Sequence, residues 1–247
     1  METVFGCSSC LPDDTKAQPI GGEQKGLVNF SVSLPRPIAV LILTVVLAIR
    51  SAYYFFLRVF ICEPLFKAYC TSYGSNLHTG VFLHWVQGKG DIVLGDNVKL
   101  DGRSNIFFAA RFSERPVLHV GDNTVFGHQC AFVVGKEIRI GRHCRFASSI
   151  SVFDTSGHPS DPVARMNGEP PDINDVRPVI IGDNVWVGTG SIIFPGVVIG
   201  DNSIVSARSV VMSSVPANTV VAGNPARMVR SLVATPRASS AGTLAKA

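Results

Sequence analysis

The sequence predicts an all-β solenoid, a left-handed parallel β-helix preceded by a hydrophobic, membrane-associated helix. Three observations carry that expectation: a six-residue period from about Ile92 onward, a long Pro-rich excursion that interrupts it, and an apolar run from Pro37 to Cys62 ahead of it.

The period is read by writing each hexad from its aliphatic position: LGDNVK from Leu94, LDGRSN from Leu100, VGDNTV from Val120, FGHQCA from Phe126, IGRHCR from Ile140 and FASSIS from Phe146. After a break come IGDNVW from Ile181, VGTGSI from Val187, IFPGVV from Ile193, IGDNSI from Ile199 and VSARSV from Val205. Such a period means three short strands per turn of a triangular coil, with one aliphatic side chain stacking inside at each repeat start. The corner that follows needs small or turn-tolerant residues, and a small Ser, Thr, Cys or Val fills the next inward position. Cys130 and Cys144 fall on that inward position, where a free thiol packs as a small hydrophobe. A buried strand or an amphipathic helix could mimic one or two hexads, but not eleven.

Composition agrees. The chain has 247 residues, 46% of them hydrophobic, enough for one large core or a core with a small appendage. Only 16% are charged, against roughly 25% in an average globular domain. The net charge of +4 is small, and no Lys/Arg cluster is long enough to track phosphates, so nucleic acid is not an expected partner. The six cysteines, at 7, 10, 62, 70, 130 and 144, lack the dense spacing of a stapled secreted domain and imply a reducing compartment. Cys7 and Cys10 form a lone C-x-x-C with no second pair, read as an unremarkable pair in a tail.

Residues 1–34 are polar and aperiodic, an expected disordered tail without the features of a cleavable signal. Residues 35–73 form the membrane candidate, whose only charges between Pro37 and Cys62 are Arg50 and Arg58. About 20 apolar residues suffice to span a bilayer as a helix. Arg50 leaves three readings open: a spanning helix from which its head snorkels, a segment that bends there and enters one leaflet, or a soluble helix packed on the main domain. Arg50, Arg58 and Lys67 on the C-terminal side place the main domain in the cytoplasm by the positive-inside rule, at a cell inner membrane. The β-helix is expected over 74–226, interrupted at 106–118, which holds Arg111 and Arg115, and by the loop 155–179. A short helix at ARMVRSL and a disordered tail would complete 227–247.

Long loops in a solenoid are where function concentrates. His158, in D-T-S-G-H-P at the root of the long loop, is the catalytic candidate, since it follows a broken strand and imidazole titrates near neutrality. An imidazole satisfied by a neighbouring carbonyl is the plainer alternative. Asp154, Asp161 or a backbone carbonyl could hold its second ring nitrogen.

Residues 120–230 resemble the galactoside, maltose and nodulation O-acetyltransferases of the hexapeptide-repeat superfamily. The likeness lies in G-H-P at 157–159, N-G-E at 167–169, I-G-D-N-V-W-V-G-T, P-G-V-V-I-G-D-N-S and V-V-A-G-N-P-A-R at 220–227. The resemblance implies that His158 is a general base activating an acceptor hydroxyl toward acetyl-CoA, with no metal. It places the acceptor near His128, Trp186 and Arg111. It places CoA against Thr189, Ala207, Arg208 and Ser213, with Arg227 and Arg230 toward the phosphates. Two departures stand out: Ser206-Ala207-Arg208-Ser209 where the family usually has G-A-G-S, and Met212-Ser213 where it has T-K. The resemblance also implies a homotrimer with sites between subunits. The apolar segment favours a lipid-linked glycan or surface polysaccharide unit as acceptor; N-acetylation of an amino sugar nucleotide and a non-catalytic membrane scaffold are the alternatives. A zinc site of the γ-carbonic anhydrase kind would need His128, His143 and His158 to converge, and the paired H-x4-H spacing of such sites is missing.

Overall fold

The computed structural model describes residues 33–109 and 111–232. The expected tails, with Cys7 and Cys10, lie outside the described residues. The chain divides into two compact units, Met1–Leu47 and Ala48–Ala247.

The division falls inside α1 (Arg36–Leu57), whose residues are all exposed or half-buried. The helix runs through Arg50 without a break. The irregularity comes later, as a π-helical turn at Arg58–Cys62 that leads into α2 (Glu63–Tyr69). Together Arg36–Tyr69 is a 34-residue helical stretch long and apolar enough to cross a membrane.

From Ser72 the chain winds into a three-walled parallel β-helix. The first coil is β1 (Ser72–Tyr73), β2 (His78–Thr79) and β3 (Trp85–Gln87). The second is β4 (Asp91–Leu94), β5 (Lys99–Leu100) and β6 (Asn105–Phe108); the third is β7 (Val117–Val120), β8 (Val125–Phe126) and β9 (Ala131–Val134). The fourth, β10 (Glu137–Ile140), β11 (Arg145–Phe146) and β12 (Ser151–Phe153), precedes the long loop, which holds α3 (Pro162–Met166) and a short 3-10 turn. The fifth and sixth are β13 (Val179–Ile181), β14 (Trp186–Val187), β15 (Ile192–Ile193), then β16 (Val198–Ile199), β17 (Ile204–Val205), β18 (Val210–Val211). Strands of successive coils pair in parallel as three walls, β1-β4-β7-β10-β13-β16, the wall from β2 to β17, and that from β3 to β18.

All eleven hexad starts, from Leu94 to Val205, are buried, as are the small inward residues Ser104, Thr124, Cys130, Cys144, Ser191, Ser203 and Ser209. Removing a ring of side chains from water at every coil is what holds a solenoid together. Burial pushes the Cys130 and Cys144 thiols up to about 11, so both are inert packing groups.

The three edges of the prism differ. Along the edge between first and second walls, G-D-N corners stack: Asn76, Asn97 and Asn123 chain their side-chain amides at 3.1 and 3.2 Å, as do Asn184, Asn202 and Asn218 at 2.9 and 3.1 Å. These asparagines sit at positive φ, for example +56° at Asn97, a conformation Asn tolerates well. The aspartates beside them accept backbone N–H groups of the preceding coil, as Asp122 does from Asp96 and Asp201 from Asp183. That edge is structural. The other two carry every site residue at a corner or loop.

One expected element is corrected. Residues Ala226–Ser231 form a strand, β20, where a short helix was expected; it pairs antiparallel with β19 (Thr219–Gly223). The last parallel strand leaves an open row of backbone groups, and covering that edge outweighs the weak helical bias of so short a segment.

Candidate functional site

The edge between second and third walls carries one residue set. Its corners follow β8, β14 and β17, and put His128, Thr189 and the Ala207-Arg208 pair in one column on coils three, five and six. Gly188 permits close approach of the coils there, since a Cβ on it would collide with the Ala207 nitrogen. Beside this column Trp186 stands on the outer face of β14, in register with Arg145 and Ile204 and 55% exposed. A groove of about 450 Å³ opens between them, lined by Trp186, Gly188, Thr189, Ala207, Val220 and Arg230, among others. Arg230 is the only charged residue among the described residues that line it. It reaches the groove because β20 is a strand in register with Val220. Ala147 and Ser206 also line it; sequence reasoning missed both, although F-A-S-S and V-S-A-R mark them as the small residues of the same corner.

Arg208 occupies the corner position where the family usually has glycine, with φ of +57°. Its N–H donates to the Thr189 carbonyl at 2.8 Å, which ties the two corners together. Ser213 and Arg227 lie elsewhere: they line a separate pocket of about 290 Å³ with Ser214, Pro216 and Met228. The expected CoA residues therefore fall into two groups.

His158 leaves from the third edge, between third and first walls. The loop is pinched at its stem, where the Arg177 N–H donates to the Asp154 carbonyl at 2.8 Å. Its first turn is fixed by short local bonds. The Gly157 N–H donates to Thr155 Oγ1, the Ser156 hydroxyl donates to the His158 carbonyl, and Arg165 reaches the Pro159 and Ser160 carbonyls. Gly157 takes φ of +79°, turning the backbone so that His158 is exposed. Arg111 is on the same edge, in the exposed loop after β6.

Among the described residues neither aspartate hydrogen-bonds His158. Asp154 is buried, and its carboxylate accepts the N–H groups of Gly135, Lys136 and Glu137 at 2.6, 2.7 and 2.8 Å. Asp161 caps α3, accepting from the Ala164 N–H at 2.7 Å. Each carboxylate answers orphan backbone donors, at a corner and at a helix N-terminus. The three histidines of the zinc reading stand on three different edges, His128 after β8, His143 after β10 and His158 in the long loop. Among the described residues no group of three His, Cys, Asp or Glu side chains could hold a metal.

Comparison with known proteins agrees with this architecture. Residues 178–212 match the family model described as hexapeptide repeat of succinyl-transferase. WbbJ of Escherichia coli, named as a lipopolysaccharide biosynthesis O-acetyl transferase, is 31% identical over 159 residues, which cover 59% of this chain and 74% of WbbJ. The chain belongs to the hexapeptide-repeat acetyltransferase family. It is also 36% identical over 121 residues to the galactoside O-acetyltransferase of Escherichia coli, covering 49% of the chain and 57% of that enzyme. A Saccharomyces cerevisiae protein named as an acetyltransferase is 39% identical over 115 residues, 47% of the chain and 56% of its own length. The chain thus spans little more than half the length of the first curated relatives it matches. AntD, an N-acyltransferase of Bacillus cereus, shares the fold, with a TM-score of 0.55 at 24% identity over 68% of this chain and 88% of AntD.

Proposed function

We propose that the protein is an acetyl-CoA-dependent O-acetyltransferase that modifies a sugar hydroxyl, on a lipid-linked glycan or surface polysaccharide unit at the cytoplasmic face of an inner membrane. One observation carries the reading. Trp186, Thr189, Ala207 and Arg230, expected from the resemblance to meet CoA or acceptor, line one groove on a chain of this family. The names of WbbJ and of the galactoside enzyme support a sugar hydroxyl as acceptor. The 34-residue apolar helical stretch supports the membrane.

In this reading the flat, small-residue groove takes the extended pantetheine arm, Trp186 supplies apolar contact, and Arg230 faces a CoA phosphate. His158 takes the proton of the acceptor hydroxyl as that oxygen bonds to the thioester carbonyl carbon. The carbon–sulfur bond then breaks and the CoA sulfur receives the proton, leaving the imidazole neutral. His158 and the groove belong to different edges of one prism, so the complete site needs His158 from one copy and the groove from its neighbour. A cyclic trimer supplies that arrangement three times over.

Glycan mass spectrometry on cells holding the wild-type protein, His158→Ala or no protein tests the reading. An acetyl-sized increment is expected only with the wild type. Identical glycans in all three would reject it, and an increment confined to an amino sugar nucleotide would reassign the reaction to nitrogen.

A further inference from the structure

A larger cavity, of about 810 Å³, lies outside the transfer site, between the helical turn ending α1, α2 and the first coil. Ile61, Leu65, Phe66, Phe82, Leu83 and Trp85 are among the residues that line it, and all but Phe66 leave about half of their surface in contact with solvent. So much contiguous apolar surface on a protein marks a binding site.

Four features say what it binds. The cavity begins at Leu57, the last residue of the apolar helix, so chain connectivity places it where such a helix meets the membrane interface. At its rim stands a single cation, Arg103, with its guanidinium 5.9 Å from the centre of the Trp85 ring. In its wall the buried His84 accepts the Ser104 N–H at Nδ1, so Nε2 carries the proton, and that N–H has no partner among the described residues. Burial holds the ring down to about 4, so the donor stays neutral in an apolar wall. An apolar hollow with one cation at its mouth suits a hydrocarbon chain ending in a phosphate.

The fourth feature is direction. The Phe82 ring meets His128 edge-on at 6.3 Å, and His128 belongs to the same edge as Thr189 and Ala207. Arg103, which lines the cavity, follows β5 on the second coil and Ala147, which lines the groove, follows β11 on the fourth, so two strand spacings, about 10 Å, separate cavity and groove along that edge.

We propose that this cavity holds the hydrocarbon chain of a long-chain lipid phosphate bearing the glycan acceptor, with Arg103 on the phosphate and the glycan laid along the edge to the groove. The inference rests on the functional reading above and deepens it. It assigns the acetyl group to a sugar beyond the one joined to the lipid phosphate, because a single sugar ring is shorter than that separation.

The test uses the full chain in detergent micelles. Trp85 and Trp186 are its two tryptophans, so a Trp186→Phe background reports on the cavity alone. A brominated long-chain prenyl phosphate is expected to quench Trp85, and the corresponding alcohol to need at least tenfold more for the same effect. Ala68 is exposed and lines the cavity, so Ala68→Phe fills space without removing a buried group. It should abolish the quenching, and Arg103→Gln should erase the preference for phosphate over alcohol. With native Trp186, Ala68→Phe should raise KM for the lipid-linked glycan at least tenfold and leave KM for the same glycan freed of lipid unchanged. Equal quenching by a brominated phospholipid, or equal effects on both acceptors, would overturn the proposal. Transfer without quenching would remove the lipid site and keep the enzyme; quenching without transfer to either acceptor would do the reverse.

Discussion

Asp154 Oδ1 stands 2.6 Å from the backbone nitrogen of Gly135, and the rest of the carboxylate is shared by Lys136 and Glu137. Burial raises this carboxyl above the usual range, against the three N–H bonds that favour its charged form. The side chain thus clamps the corner between β9 and β10 to the root of the loop that carries His158.

Asp154→Asn turns an amide NH2 toward backbone donors and leaves at least one of them unpaired. A loss of about 2–4 kcal/mol is expected, read as a lower unfolding temperature in detergent. The pH profile of transfer by the protein that remains folded should keep its wild-type midpoint. A moved midpoint would show that Asp154 acts on His158 after all.

Arg208 pays for its place in the corner with φ of +57°. Arg208→Gly relieves that conformation and should stabilise the chain by about 1 kcal/mol, since glycine enters the left-handed region without a Cβ penalty. If the guanidinium meets a CoA phosphate beside the groove, the same variant raises KM for acetyl-CoA about tenfold, the size of one charge-assisted contact. Thermal unfolding and acetyl-CoA titration separate the two effects. A destabilised variant would contradict the strain argument, and an unchanged KM the phosphate contact.

The period was legible because it depends on nothing beyond itself: a buried aliphatic residue at each sixth position needs no knowledge of distant segments. What depended on distant partners was not. Asp154 lies four residues from His158 in sequence, but its donors come from 17 to 19 residues earlier, one coil away. Residues 226–231 read as a short helix because the strand they pair with, β19, offers its edge only once the coil is built. The first coil hides for another reason: T-S-Y-G-S-N-L-H-T-G-V-F-L-H-W keeps the walls and abandons the hexad, so the cavity beside Phe82 and His84 had no periodic signal.

A site shared between copies predicts complementation. His158→Ala spoils one edge and Ala207→Trp, which fills the groove, spoils another; each alone should lower kcat/KM by about a hundredfold or more. Coexpressed in equal amounts, the two should recover roughly a quarter of wild-type activity, the chance that a shared site draws an intact residue from each side. Tagged mixed assemblies purified in detergent and assayed with acetyl-CoA give the number. No recovery, with mixed assembly shown by the tags, would place the whole site within one chain.

His84 makes stability depend on pH with a definite sign. Its folded-state value near 4 lies below the ordinary 6.5 because burial disfavours the imidazolium. Phe66 packs 4.4 Å from its ring and Arg103, at the cavity rim, adds no countercharge. Between those two values the unfolded chain binds a proton that the folded chain refuses, so the stability present above pH 6.5 drains away as pH falls toward 4. The gap corresponds to about 3 kcal/mol. His84→Phe removes the titration. Between pH 7 and pH 4 its unfolding temperature should therefore fall by clearly less than that of the wild type, whatever the offset between them at neutral pH. Parallel curves for the two proteins would show that His84 does not titrate as a buried, neutral donor.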